Sequence, residues 1–585
     1  MAVKDKFELI FEKEIPELKG LVRFYRHIPT GAELLSIINE DDNKVFGICF
    51  RTPPSDSSGI AHILEHSVLC GSRKYPVKEP FVELVKGSLK TFLNAFTYPD
   101  KTCYPVASQN VQDFYNLIDV YLDAVFYPRL TPFVLQQEGW HYELDDPESP
   151  LTIKGVVYNE MKGVYSSPDS MLSELSQQSL FPDTTYGLDS GGDPKVIPSL
   201  TFEQFKSFHE RFYHPSNARI YFYGNDDPDR RLDIIQEYLK DFSRIEPESG
   251  VALQAPKTAP ARIVRSFAAG KEEADTGGIK SMVTVNWLLP EVTDAGLNLA
   301  FQILEYVLLG MPGSPLKKAL IESGLGEDVA GAGLETELRQ IFFSAGLKGI
   351  RSEDAEKVER LIFETLAALV RDGIDPATIE AGVNTIEFRL RENNYGNFPQ
   401  GLAAMLRALS TWLYEADPTS LTAFESPLNL VKENLKSGGF LEGLIHRFLL
   451  ENRHRTVVLL RPEPGLAAKE IEEEAKKFEA IKNSLSPDEI SGVIENAKTL
   501  QRIQSSPDSP EALASIPVLR VSDLDRRNRI TPMESRPVDG VPGFYHDLFT
   551  SGITYLDVGF NLQALPQQYL PYAPLFGRVL LEMGT

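Results

Sequence analysis

Ala61-His62-Ile63-Leu64-Glu65-His66-Ser67-Val68-Leu69 is answered later in the chain by Phe301-Gln302-Ile303-Leu304-Glu305-Tyr306-Val307-Leu308-Leu309. The Ile-Leu-Glu core is shared, Gln302 and Tyr306 stand where the first copy has His62 and His66, and a glycine closes each run (Gly71, Gly310). Near the end, ITYLDVGFNLQALP (553–566) followed by LFGRVLLEMGT (575–585) repeats the strand, Leu-x-Pro-like turn and helix of the second copy. One such match lies within the reach of chance among leucine-rich helices. Three in equivalent context read as duplication. Around them, apolar runs predict strands near 33–39, 44–51, 91–97, 102–107 and 218–224. Helical spacing falls near 58–70, 80–90, 110–126, 131–140, 155–165 and 201–211. Strands and helices mix without strict alternation, which predicts an α+β fold: tandem homologous domains, each with a mainly antiparallel sheet packed by helices. Residues 248–262 read as a linker, and 466–505 as two charged helical stretches broken at SLSPDE, a helical hairpin.

Outside these elements, composition narrows the classes. The 585 residues are 42% hydrophobic and 24% charged with mean hydropathy −0.19, a folding composition with no stretch near the roughly 20 unbroken apolar residues of a membrane span. Asp plus Glu outnumber Lys plus Arg by 83 to 59, a net charge of −24. That opposes nucleic-acid phosphates and anionic lipid, and it either favours cationic partners or serves solubility alone. Three cysteines, Cys49, Cys70 and Cys103, make no disulfide framework and point to a reducing compartment. The N-terminus is acidic and lacks an apolar signal core, so the address is cytoplasmic by sequence alone, or already removed.

The chemistry concentrates in HILEH. On a helix, His62 and His66 at i and i+4 share a face and can meet one ion, and Glu65 projects beside them, where it could take a proton from a water that the ion activates. The order H-x-x-E-H inverts H-E-x-x-H. The alternative is two histidines on an ordinary core helix. Glu160 is the candidate third ligand: in KGVVYNEMKGVY the residues Val156, Val157, Met161 and Val164 form an apolar stripe, and a carboxylate within it is costly unless paired or metal-bound. A salt bridge to Lys162 or to an arginine from elsewhere is the competing reading. Glu138, Glu143 and Glu79 are weaker ligand candidates among polar neighbours. Asn94–Thr97, if an exposed edge strand near the ion, could take an extended peptide by strand addition, with Asn94 and Ala95 as contacts; an ordinary hairpin is the plainer reading. Ser190–Pro194 (SGGDP) lacks the strand–GxGxxG–helix context of a nucleotide loop. His141, His209 and His214 read as capping or packed histidines, and no base pairs with Cys103.

HILEHSVLCGSRKYP, KEPFVELVKGSLKTFLNAFTYPDKTCYPVAS, KGVVYNEMKGVYS and HPSNARIYFYG resemble the presequence protease group of the pitrilysin/insulysin (inverzincin) zinc metallopeptidases, and the resemblance covers essentially the whole chain. Carried over residue by residue, it implies that His62, His66 and Glu160 bind one Zn2+, that Glu65 is the general base, and that Asn94 and Ala95 lie in the substrate-strand segment. It implies one half of a clamshell: a catalytic zinc-binding domain over 1–255, a degenerate homologous domain over 263–460, a helical hairpin linker over 466–540 and the start of a third domain over 541–585. It implies a zinc metalloendopeptidase degrading short unstructured peptides, basic ones such as cleaved targeting presequences, in a mitochondrial matrix or plastid stroma. In that family the C-terminal half supplies an arginine and a tyrosine at the scissile carbonyl. With the chain stopping at Thr585, the expectation is a chain that binds zinc but has little activity until a C-terminal half completes the chamber. Two alternatives stand beside it: a non-catalytic peptide-binding homologue, and a processing peptidase making one specific cut.

Overall fold

In the computed structural model, residues 3–269, 280–393, 396–528 and 530–582 are described. The chain divides into two compact units, Met1–Arg529 and Ile530–Thr585.

The first unit opens on a hairpin of β1 (Phe7–Ile15) and β2 (Gly20–His27), followed by β3 (Glu33–Ile38) and β4 (Lys44–Arg51). Next come α1 (Ile60–Val68), α2 (Pro80–Gly87), the short strands β5 (Lys90–Leu93) and β6 (Phe96–Thr97), and β7 (Lys101–Ser108). Helices α3 (Val111–Phe126) and α4 (Pro132–Glu138) lead to the small hairpin of β8 (His141–Glu143) and β9 (Thr152–Lys154). Helices α5 (Val156–Val164), α6 (Pro168–Leu180) and α7 (Phe202–Phe212), strand β10 (Ala218–Gly224) and helix α8 (Pro228–Leu239) complete the run. The sheet order is β1-β2-β3-β10-β4-β7-β5, with β6 also on β7. Only the β3–β10 pairing is parallel.

The central strands are buried end to end because both faces of the sheet are covered. Phe46, Ile48 and Phe50 face one core with Ile63 and Leu64 of α1 and Phe114 of α3. Val45 and Cys49 face another with Leu402, Met405 and Leu409 of the helix Gln400–Trp412. At about 1.5–3 kcal/mol per fully buried large apolar side chain, this double burial holds α1 rigidly on the sheet. The turn from β10 into α8 is locked by Arg231, whose guanidinium grips the fully buried Asp226 through Nη2 at 2.5 Å and Nε at 3.1 Å.

A second sheet orders β11 (Ala261–Ala269), β15 (Arg455–Pro464), β12 (Ser281–Glu291), β14 (Gln340–Ile350) and β13 (Asp328–Glu335) as β11-β15-β12-β14-β13. Here too a late strand, β15, lies parallel to β11 and antiparallel to β12, as β10 does between β3 and β4. The helix Ala295–Glu305 follows β12 as α1 follows β4. The expected α+β fold of tandem homologous domains is present, and the shared Ile-Leu-Glu runs occupy matching places in it. Residues 295–322 are long and apolar enough to cross a membrane by composition alone. Their Leu299, Ile303, Leu304, Val307 and Leu308 instead fill the core of this second sheet.

The helices Leu466–Ser484 and Pro487–Ser505 are joined at Ser486, which forms a capping box with Glu489. They are docked on the first sheet's domain: Glu474 accepts from Tyr158 Oη and Lys162 Nζ, each at 3.1 Å, and Asn496 donates to Gln136 at 3.0 Å.

Two regions differ from the sequence reading. The β1–β2 hairpin falls where no strand was expected: exposed Glu8, Glu12 and Glu14 give it a charged composition, and a bulge between Leu9 and Phe11 breaks the period-two pattern. In the second unit, 553–561 is not a strand. The pairing described in that unit is the two-residue ladder Glu534–Ser535 with Phe544–Tyr545 and the single bridge Val538–Val541, and a lone extended segment without a ladder leaves its backbone groups to solvent. The helix expected over LFGRVLLE is present within Ala573–Glu582.

Candidate metal centre

Helix α1 starts at Gly59, a left-handed position (φ +69°) that only glycine holds without strain. Ala61, Ile63, Leu64 and Val68 turn into the core, so the four-residue spacing leaves His62 and His66 together on the other face. Their ring centroids are 5.0 Å apart at 77°. Glu65 lies beside them and accepts a hydrogen bond from Thr97 Oγ1 at 2.6 Å.

Glu160 arrives from α5. Its Oε2 is 3.8 Å from His62 Nε2 and 3.9 Å from His66 Nε2, and the three donor atoms lie within 4.8 Å of one another. Among the described residues this is the one such convergence of His, Cys, Asp or Glu. The donor set fits zinc, which takes two imidazole nitrogens and a carboxylate at about 2.0–2.1 Å, roughly 3.3 Å from one another in a tetrahedron. The two Glu160–histidine distances exceed that spacing by about half an ångström. Contrary to the sequence expectation, Glu160 does not lie on a buried stripe. Its side chain is 51% exposed, and Val156 and Val164 are exposed too; the buried face of α5 is Val157, Tyr158 and Met161. Glu160 stands on the open side of a short helix, which leaves the centre accessible from solvent. Lys162, the competing partner for Glu160, pairs with Glu474.

Each imidazole is held from behind. His62 Nδ1 is 3.0 Å from the Gly191 carbonyl oxygen, and His66 Nδ1 is 3.3 Å from Glu138 Oε2. Both partners are acceptors, which places the proton on Nδ1 and aims the Nε2 lone pairs at Glu160. Glu138 is buried, and its other oxygen accepts from Gln137 at 2.8 Å and Cys70 at 3.5 Å. Burial alone would raise the Glu138 carboxyl, but the hydrogen bonds from His66 and Gln137 hold it below the usual carboxylate range. Burial alone would lower His66. The hydrogen bond to Glu138 and the charges of Glu65, Glu138 and Glu160 raise it instead. Glu138, a weak ligand candidate by sequence, thus lies behind a ligand candidate. Glu143 pairs with Lys154 at 2.6 Å, and Glu79 precedes α2; neither joins the cluster.

Asn94 and Ala95 interrupt the last strand of the sheet, between β5 and β6 on the rim of β7. Asn94 is exposed and Ala95 buried. The Thr97 hydroxyl on Glu65 ties this rim directly to the histidine helix. His141, His209 and His214 have local partners: Gln136 O at 2.7 Å, Val125 O at 2.9 Å and Ser216 N at 3.1 Å. Cys103 Sγ faces Cys49 Sγ at 2.9 Å in the sheet interior. In the second copy Gln302 donates to Asn298 at 2.6 Å and Arg389 lies over the Tyr306 ring, so the equivalent positions hold no ligand pair.

Family models match residues 51–159 (insulinase, peptidase family M16), 199–386 (peptidase M16 inactive domain) and 460–585 (the associated region of subfamily C of the same peptidases). Over its full length the chain is 49% identical to presequence protease 1, chloroplastic/mitochondrial, of Arabidopsis thaliana, covering 55% of that protein. Over 99% of its length it is 44% identical to protein HypA of Clostridium perfringens, covering 59%. With the mitochondrial presequence protease of Xenopus laevis the identity is 38%, over 97% of this chain and 55% of the relative. The chain therefore spans somewhat over half the length of these relatives. Among solved structures, a peptidase M16 inactive domain from Pseudomonas fluorescens superposes with a TM-score of 0.58 at 16% identity, covering 76% of this chain and 98% of that one. Pitrilysin superposes at 0.53 and 16% identity, over 78% of this chain and 47% of its own.

Proposed function

The chain belongs to the M16 (insulinase/pitrilysin) peptidase family and is similar to its presequence proteases, and from that premise we propose that it is a zinc metalloendopeptidase degrading short, unstructured, basic peptides such as cleaved targeting presequences. The observation that carries this reading is the convergence of His62 Nε2, His66 Nε2 and Glu160 Oε2 with Glu65 alongside. His62, His66 and Glu160 would hold the ion, which when bound supplies a Lewis acid for a water nucleophile and the scissile carbonyl. Glu65 is the general base: its carboxylate takes the proton of the attacking water and returns it to the departing amine. Thr97 fixes one Glu65 oxygen and leaves the other for that proton. Asn94 and Ala95 sit on the rim where an extended peptide can add as a strand, a mode that holds backbone and tolerates varied sequence. The net charge of −24 favours basic peptides by long-range attraction. The relatives' names carry chloroplast and mitochondrion, and we extend that address, stroma or matrix, to this chain with its substrates.

The test is a product map: a basic presequence peptide incubated with the zinc-loaded chain, with Glu65→Gln as control, read by mass spectrometry. Several internal cuts that vanish in Glu65→Gln support the reading. A single cut turns it into a processing peptidase, and cleavage that persists in Glu65→Gln contradicts it.

A further inference from the structure

The SGGDP run, which resembles a phosphate loop only in composition, lies against both helices of the metal centre. Asp189 is buried and collects this loop around its carboxylate: Oδ1 accepts from Gly191 N at 2.9 Å and Gly192 N at 3.1 Å, and Oδ2 accepts from Tyr165 Oη at 2.6 Å. On one side the loop is fastened to the approach to α1. Asp189 N donates to Ser57 Oγ at 3.1 Å and Asp193 N to Ser57 O at 2.9 Å. Gly192 lies so close to Gly59, the residue before α1, that a Cβ on it would come within 2.9 Å of the Gly59 Cα. The outcome of that packing is the Gly191 carbonyl 3.0 Å from His62 Nδ1. On the other side the loop reaches the helix of Glu160. Tyr165 caps the C-terminus of α5, and Met161, next to Glu160, packs on Gly191, where a Cβ would meet its terminal methyl at 2.9 Å.

We propose that the Asp189–Gly192 loop is the positioning element of the metal centre: Asp189 holds the Gly191 carbonyl that orients His62 and, through Tyr165, sets the spacing between α1 and α5 across which His62 and Glu160 meet. The inference rests on the zinc reading of that site. It assigns a role to residues that touch neither ion nor substrate, and it explains Gly192, whose φ of +111° and backbone contact with Gly59 leave no room for a side chain unless the loop moves. The neighbouring Glu174 carboxyl is pushed up to about 8 by burial and then by the charge of Asp189.

The test measures metal, not turnover. Zinc affinity is read by competition with a chromophoric chelator, and ligand geometry by the visible spectrum of the Co2+-loaded chain. The proteins are wild type, Asp189→Ala, Asp189→Asn and Tyr165→Phe, each first checked for its folded circular dichroism. Asp189→Ala is expected to weaken zinc about 10- to 100-fold and to alter the Co2+ spectrum. Asp189→Asn keeps an acceptor oxygen for the two glycine amides and recovers most of that loss. Should Asp189→Ala not fold, Tyr165→Phe carries the test with a several-fold weakening. Wild-type affinity and spectrum in a folded Asp189→Ala, or in Tyr165→Phe where the alanine variant fails to fold, overturn the proposal. A wild-type chain that takes up neither Zn2+ nor Co2+ overturns the metal reading, and the loop's role falls with it.

Discussion

Glu138 Oε2 stands 3.3 Å from His66 Nδ1, on the side of the ring opposite the nitrogen that faces Glu160. One imidazole is thereby stretched between a buried carboxylate and a candidate ligand site. The consequence is a proton competition. In the metal-free chain His66 keeps its proton to a pH above the ordinary histidine value of about 6.5, so zinc, which needs neutral imidazole, begins to lose affinity above that value as the solution is acidified. Glu138→Gln removes the largest of the raising causes and leaves the charges of Glu65 and Glu160, and the fall should then begin at lower pH. Chelator-competition titrations across that range compare the two; identical pH profiles would count against the assignment.

Glu65→Gln should cut peptide turnover by about 10^2–10^4 while leaving zinc affinity near wild type, because Glu65 serves as base and not as ligand. Thr97→Val frees one carboxylate oxygen of Glu65 and should lower kcat more than it changes KM, again without loss of metal. Steady-state kinetics beside metal analysis separates these effects, and zinc loss in either variant would contradict the division of roles.

Lys101 is fully buried between Asp100 at 3.8 Å and Glu337 Oε2 at 3.7 Å, and its Nζ donates to the Glu337 carbonyl oxygen at 2.8 Å. Burial alone would discharge the ammonium, but the two carboxylates hold it above its usual range. Asp100 also accepts from Tyr186 at 2.6 Å and Tyr414 at 2.7 Å, so the cluster joins the first sheet to the second sheet's domain. Lys101→Met leaves the buried Asp100 carboxylate without its cation, held by the two tyrosines alone, and should cost about 3–5 kcal/mol in urea unfolding. A loss below about 1 kcal/mol would show that the cluster reorganises at little cost.

The Glu174 carboxyl, raised to about 8, makes stability depend on pH with a definite sign. Between the unfolded value of about 4.3 and about 8 the folded chain holds a proton that the unfolded chain has released. Stability therefore falls as pH rises through that window, by at most roughly 1.4 kcal/mol per pH unit, and the loss is complete above it. Glu174→Gln removes this term. Its Tm should exceed wild type at about pH 8.5 and approach it at about pH 5; a pH-independent difference would contradict the assignment.

The central strands and the histidine helix are legible in the sequence because local chemistry dictates them. Strands β4, β7 and β10 are continuous apolar runs, and the i, i+4 histidines need only a helix. Glu160 is not legible from burial, since it is half exposed; tertiary placement of α5 brings it to the histidines. Gly191 and Glu138 could not be recognised as supports, since their roles depend on contacts across 129 and 72 residues of chain. SGGDP illustrates the same limit. Its glycines signal close approach, but what they approach, the start of α1, appears only in the fold.

The most direct measurement is zinc bound per chain, by metal analysis after dialysis, in wild type, His66→Ala and Glu160→Ala with folding verified by circular dichroism. One zinc per wild-type chain and a folded apo-protein in both variants is the expected result. Wild type without zinc, or His66→Ala retaining a full equivalent, would contradict it.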